Sequence, residues 1–290
     1  MQVLDEPTWR ARQRDHLGRV SRWTGPHRER ARRRESHPVL DFMFTYYSQR
    51  PALLERWHPG LGVALDGPAE EFLARPGYVR GPHGVYLDPA ELPPARVAGA
   101  EFVLGLQRAI AGRSPRLTCF GLHEWAMVYR SDAPRHAGLA LRLGASGTDA
   151  VVEAQPLRCT HHDAFRFFTP PARPRNATAP ARSDQADNEQ PGCLHATMDL
   201  YKWAYKLSPA TPSELVADCF ELAVQVRTLD MRASPYDLMA LGYPPVRVET
   251  AEGRAEYARA QAGFAERAGP LRERLSEVAE RVVSSARSRC

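Results

Sequence analysis

The sequence predicts an α+β protein: mixed helices, a small antiparallel sheet, and a helical C-terminal part. Three observations carry this. Short apolar runs bounded by Gly and Pro, GVALDG and GYVRGPHGVYLD, fall within 61–90 and read as strands. Helical apolar spacing appears at 95–112 and dominates from 194 onward. No internal repeat is present, which excludes a solenoid or propeller.

The elements follow in order. Residues 8–34 read as a polar, Arg-rich helical segment interrupted at Gly25–Pro26. His37–Pro38 opens a dense stretch in which Val39, Leu40, Phe42, Met43 and Phe44 give a buried helix, restarted at Pro51 and stopped by His58–Pro59–Gly60. Gly81-Pro82-His83-Gly84 has the composition of a hairpin turn. In the 95–112 helix, Phe102, Val103, Leu106 and Ile110 share a side. Residues 117–130, LTCFGLHEWAMVYR, read as a buried helix or a strand, with the length and the Leu/Met/Ala content favouring helix. In 138–168 the alternation of Leu139, Leu141 and Leu143, a Gly144–Gly147 turn and the return Val151-Val152-Glu153 predict strands. Residues 169–193 read as a surface loop. LHATMDLYKWAYKL is an amphipathic helix broken at Ser208–Pro212, and Ser213 is the expected N-cap of the next, which Ser234-Pro235-Tyr236 ends. A charged, solvated helix closes the chain over 251–288. This divides the chain into a basic helical arm (1–36), an α+β part of the core (37–168), the loop (169–193) and a helical part packing on the same core (194–290).

With 290 residues, 43% hydrophobic and 25% charged, the chain has ample material for a buried core. No apolar run approaches the ~20 residues of a membrane helix, and MQVLDEPTWRARQRDH lacks an apolar signal core. A cytoplasmic protein without a membrane partner is expected. The formal charge is +5. Lys202 and Lys206 are the only lysines, and the arginine excess has the look of high-GC coding. The first 60 residues nevertheless carry twelve Arg against seven acids, densest at Arg28, Arg30, Arg32, Arg33 and Arg34. That run is either a solvated helix or a phosphate-contacting arm. Cys119, Cys159, Cys193, Cys219 and Cys290 are odd in number and form no CxxC pair, so reduced thiols are expected.

Reactive side chains crowd into five apolar blocks. They are His37, Asp41, Tyr46, Tyr47 and Arg50, closing with Arg56, Trp57 and His58; Cys119, His123, Glu124, Trp125 and Tyr129; Cys159, His161, His162, Asp163 and Arg166; His195, Asp199, Tyr201, Lys202 and Trp203; and Asp230, Arg232, Tyr236 and Asp237. Burying such groups is costly unless they pair or hold a ligand, which points to an enzyme. His37/Asp41 and His195/Asp199 are both spaced i,i+4, one helix face each. Such pairs either orient helices by hydrogen bonds or supply ligands to a metal, with His123, Glu124 or His161 completing the set. The absence of HExxH, GxSxG, Walker A and GxGxxG disfavours zincin, serine-hydrolase, P-loop and Rossmann chemistry.

The blocks HPVLDFMFTYYSQRPALLERWHPG, TCFGLHEWAMVYR, CTHHDAFRFF and PGCLHATMDLYKWAYKLSP resemble a family of high-GC bacterial proteins labelled 3-methyladenine DNA glycosylases, over about residues 8–245. The resemblance implies excision of alkylated purines from DNA by base flipping and water attack at the sugar. It carries no catalytic assignment with it.

Three readings follow. As a DNA glycosylase the chain needs no cofactor. Asp163, then Glu124, orients water, with His123 and His161 beside them. Tyr47, Trp125 and Tyr129 stack the flipped base, and Arg28, Arg32, Arg33 and Arg34 hold phosphates. As a metal-dependent enzyme on a small molecule it uses a divalent ion and His37, Asp41, His123, His161, His195 and Asp199. As a non-catalytic nucleic-acid-binding protein it relies on the basic arm alone.

Overall fold

The N-terminal basic segment is one uninterrupted helix, α1 (Glu6–Arg33), in a computed structural model that describes residues 1–132, 136 and 138–287. Asp5 caps it by accepting from Thr8 N at 3.0 Å. The expected break at Gly25–Pro26 does not occur, and Pro26 lies inside the helix. The helix is anchored on both sides of the proline: Trp9 is fully buried and donates Nε1 to Asp66 O, while Arg28 pairs with Glu55. The segment is therefore a packed element and not a free arm. Arg10, Arg12, Arg19 and Arg30 are bound to Glu71, Glu214, Glu221 and Asp41.

The chain forms two compact units. The first comprises Met1–Arg108, Leu200–Glu221 and the chain from Pro270 on; the second comprises Ala109–Asp199 and Leu222–Gly269. This partition cuts across the four consecutive segments expected from sequence.

The fold class is α+β. The sheet belongs to the first unit: β1 (Gln2–Leu4), β2 (Val63–Leu65), β3 (Tyr78–Gly81) and β4 (Gly84–Leu87), in order β1-β2-β4-β3. It is mixed, not antiparallel throughout, because β1 pairs parallel to β2 with Val3 opposite Ala64. Gly81 and Gly84 close the expected β3–β4 hairpin. Gly84 has φ +109°, and a Cβ there would strike Leu65 O, so glycine is required. Between β1 and β2 the predicted 39–44 helix shrinks to Phe42–Thr45, and Pro51 starts a second short helix, Pro51–Glu55.

Helix α2 (Pro94–Ala111) matches its expected span and buries Val103, Leu106 and Ile110, but Phe102 is 47% exposed. In 117–130 only Leu122–Ala126 is helical. The expected strands of 138–168 are replaced by helix α3 (Gly144–Ala154). The alternation of Leu139, Leu141 and Leu143 produces one isolated bridge, Leu141 to Tyr236. Gly144 starts the helix instead of a turn, and Thr148 Oγ1 bonds back to Gly144 O.

The 169–193 segment is not all surface. It buries Ala172, Asn176, Glu189, Gln190 and Cys193, and it contains short helices at Arg173–Arg175 and Gln185–Asn188. Helices α4 (Leu194–Lys206) and α5 (Ser213–Arg232) follow. Ser213 is the first helical residue and not the N-cap. Its hydroxyl instead ties two loop groups, accepting from His58 N and donating to Arg56 O. Helix α6 (Ala251–Arg287) runs the expected length within the described residues; residue 288 and Cys290 lie outside them. It is less solvated than its charge pattern implies, burying Tyr257, Gln261, Ala268, Leu275, Ala279 and Val282.

Candidate metal centre

The second unit gathers histidines and carboxylates from five separated stretches. The helix Leu122–Ala126, entered through Gly121 at φ +70°, presents His123 and Glu124. His161 precedes the turn His162–Phe165, and its carbonyl accepts from Ala164 N and Phe165 N. Glu189 comes from the long connection, His195 and Asp199 from α4, and Arg227 and Asp230 from one face of α5 at i,i+3 spacing.

His123 Nε2 lies 2.9 Å from Asp230 Oδ1, and both atoms are buried. Among the described residues neither atom makes a hydrogen bond, so the contact is close but misdirected. The His195 ring meets His123 edge-on at 4.3 Å. One ligand atom from each of His123, His195 and Asp230 falls within 4.8 Å of the others. Donors about 2.0–2.2 Å from an ion lie ~3.4 Å apart around a tetrahedron, a spacing bracketed by the 2.9 Å His123–Asp230 contact and the 4.8 Å limit of the group. The second carboxylate oxygen, Asp230 Oδ2, accepts from Arg227 at 3.0 Å, and Arg227 also donates to Glu124 Oε1 at 2.6 Å. This is an orienting partner for a ligating carboxylate.

His161 stands behind this group. Its ring stacks on His195 with centroids 5.1 Å apart, and Nε2 is 3.1 Å from Glu189 and 3.4 Å from Asp199. Charge follows this layout. Burial alone would lower His123, but the Asp230 carboxylate overrides it and pushes the imidazole up to about 10. His161 is likewise depressed by burial, then raised to about 9 by Glu189 and Asp199. His195 goes the other way: burial, then the neighbouring His123 and His161 cations, hold it well below its ordinary value and so neutral. Glu124 is desolvated, yet Arg227 holds it down at about 2.

A cavity of about 460 Å³ opens on the group. His123 and His195 line it, and Asp230 does not. Cys119, Cys159 and Cys193 also line it, and burial pushes the Cys159 thiol up to about 12.

The structure assigns the other predicted residues elsewhere. His37 and Asp41 belong to the first unit and are not part of the cluster. His37 Nδ1 accepts from Val39 N and Leu40 N, and Asp41 holds His27, Arg30 and His37 N in a turn. Of the six residues in the metal set, His123 and His195 converge on the candidate centre, with His161 and Asp199 adjoining. Asp163 is part-exposed beside Arg166, outside the cluster. None of Tyr47, Trp125 and Tyr129 lines the cavity. Trp125 is fully buried and donates to Ala233 O; Tyr129 donates to Glu153; Tyr47 packs edge-on against Tyr201 in the first unit. Their faces serve packing. Arg28 is engaged by Glu55, while Arg32, Arg33 and Arg34 are exposed.

Asp230, Cys119 and Cys159 stand in the reactive blocks of the sequence without an assigned role there, and Arg227 and Glu189 are passed over. One signal was available for the thiols: each precedes a clustered histidine, as Cys119/His123, Cys159/His161 and Cys193/His195. Comparison with protein families, curated proteins and solved structures finds no match for this chain.

Proposed function

We propose that the chain is a metal-dependent enzyme acting on a small molecule, with His123, His195 and Asp230 as the protein ligands. The observation that carries this is the convergence of three ligand atoms within 4.8 Å, two of them from residues that line a cavity. Two imidazoles and one carboxylate form a donor set suited to zinc, iron(II) or manganese, and three protein ligands leave positions open for catalysis. The two histidines line the cavity, so an ion held by them would be within reach of a molecule bound there. The buried carboxyl groups Glu124, Asp230, Glu189 and Asp199, with Arg227 between two of them, make surroundings that favour a cation.

The chain's own residues would divide the work. Arg227 fixes the Asp230 carboxylate by its second oxygen, with Glu124 holding the guanidinium. His161, carrying its proton between Glu189 and Asp199, keeps His195 neutral and therefore able to ligate. The ion itself would supply Lewis acidity to bound water or substrate.

A second reading, excision of alkylated purines from DNA, is supported by the resemblance of the four sequence blocks and by a cavity roomy enough for a flipped base. One pair of assays separates the two. Elemental analysis of the purified protein is expected to find close to one zinc, iron or manganese per chain, falling at least tenfold in His195→Ala. A metal-free protein that releases 3-methyladenine from methylated DNA in the presence of chelator would overturn the metal reading in favour of the second.

A further inference from the structure

The same cavity is lined by two arginines with no acidic partner. Arg116 and Arg158 line it, both exposed, and among the described residues neither side chain makes an ion pair or a hydrogen bond. Arg142, Arg227 and Arg130 in the same unit are matched, with Glu249, Glu124 and Glu153. Exposed Arg182, Arg247 and Arg259 also lack a side-chain partner among the described residues, but none of them lines this cavity. No Asp or Glu lines the cavity. The hydroxyls of Thr118, Thr160 and Thr178 add donors to the same wall.

The backbone that bears these cations is fixed by buried amides. Gln190 Oε1 accepts from Arg116 N at 2.7 Å and Nε2 donates to Arg116 O at 3.3 Å, so one side chain clamps both main-chain groups of Arg116. The same Oε1 takes Gly192 N at 2.8 Å. Gly192 lies so close that a Cβ would stand 2.7 Å from Arg116 O. Asn176 does the equivalent next to Arg158, with Cys159 N donating to Oδ1 at 2.8 Å and Nδ2 donating to Cys159 O at 2.9 Å. Two buried side-chain amides thus hold two segments in place, and each segment directs an uncompensated arginine to one cavity. Mobile surface arginines need no such mounting.

We infer that Arg116 and Arg158 recognise an oxyanion, the phosphate or carboxylate group of a small substrate, whose remaining part reaches His123 and His195. Guanidinium forks match both groups by paired N–H donation. The placement of the substrate's far end rests on the metal reading; the anion site itself does not.

Calorimetric titration with inorganic phosphate and, separately, with succinate tests this on the intact chain, with and without prior chelation. At least one anion is expected to bind one per chain. Arg116→Gln and Arg158→Gln should each weaken it at least tenfold without altering metal content, and exposed Arg32→Gln should leave it unchanged. Binding that survives chelation supports the anion site even if no metal is found, which separates the two proposals. Absence of binding by both anions, equal binding in both cavity variants, or equal loss in Arg32→Gln would overturn it. A short single-stranded oligonucleotide that binds more tightly than phosphate and is lost in the same two variants would overturn the small-molecule assignment.

Discussion

Replacing Arg227 by Met removes the cation that holds two buried carboxylates. Arg227 is 2% exposed, and it donates to Glu124 at 2.6 Å and to Asp230 at 3.0 Å. Methionine fills much of the same volume, so the cost is electrostatic rather than a cavity. Breaking a buried ion pair by deleting one partner costs about 3–5 kcal/mol, because the remaining charge is left desolvated. For a domain of this size that lowers Tm by roughly 10 °C. Glu124 feels it most: without Arg227 its desolvation is opposed chiefly by His123, and the carboxyl moves up from about 2. Asp230 keeps its contact with His123. The double variant Arg227→Met/Glu124→Gln removes one of the stranded charges and is expected to regain at least half of the lost stability. Thermal and urea unfolding of wild type, both single variants and the double variant complete the cycle. A loss below about 1 kcal/mol in Arg227→Met, or a double variant no more stable than that single one, would refute the reasoning.

Other outcomes follow from the same structure. His58 is held at about 3 by burial and then by Arg75 and Arg56, and Tyr78 Oη lies 3.0 Å from its Nδ1. Its folded pKa lies below the unfolded value of 6.5, so the unfolded chain binds the extra proton and stability falls as pH drops from 6.5 toward 3. The limiting slope is about 1.4 kcal/mol per pH unit, and His58→Gln should flatten that part of the urea-stability profile. Trp125→Phe removes the donor to Ala233 O and is expected to cost about 1–3 kcal/mol while leaving metal content unchanged, as measured by urea melts and elemental analysis. Replacing Arg32, Arg33 and Arg34 together by Gln should leave Tm within ~2 °C, since exposed charges contribute little. If those three contact DNA phosphates, the salt dependence of DNA binding loses about 2.7 from its log–log slope, and an unchanged slope removes them from any such interface.

The parts of the fold that were legible in the sequence are those fixed by local rules. Gly81 and Gly84 around Pro82-His83 spell a hairpin, and the apolar spacings of α2, α4 and α5 give helices at nearly the expected bounds. The failures lie where tertiary packing decides. Pro26 looks like a break until anchors on both sides of it, at Trp9 and Arg28, are known. The Leu139/Leu141/Leu143 alternation imitates a strand, but only Leu141 finds a bridging partner, at Tyr236. The direction of the β1–β2 pair depends on a connection of nearly sixty residues that no local pattern encodes. For the site, burial of His123, His161, His195 and Asp199 was readable from their apolar blocks. His37–Asp41 had the same spacing as His195–Asp199 yet closes a turn around Arg30 and His27. Asp230 stood in a reactive apolar block, but its partners were set only by the convergence of α5 with the other stretches; Glu189, in a polar connection, had no local mark at all.

The most direct test is a crystal of the protein as purified, with diffraction recorded on either side of the absorption edges of zinc, iron and manganese. A single anomalous peak is expected about 2.0–2.2 Å from His123 Nε2, a ring nitrogen of His195 and an Asp230 oxygen, with Arg227 on the opposite oxygen. A peak held by other residues, or no peak in protein that is nonetheless active, would contradict the account.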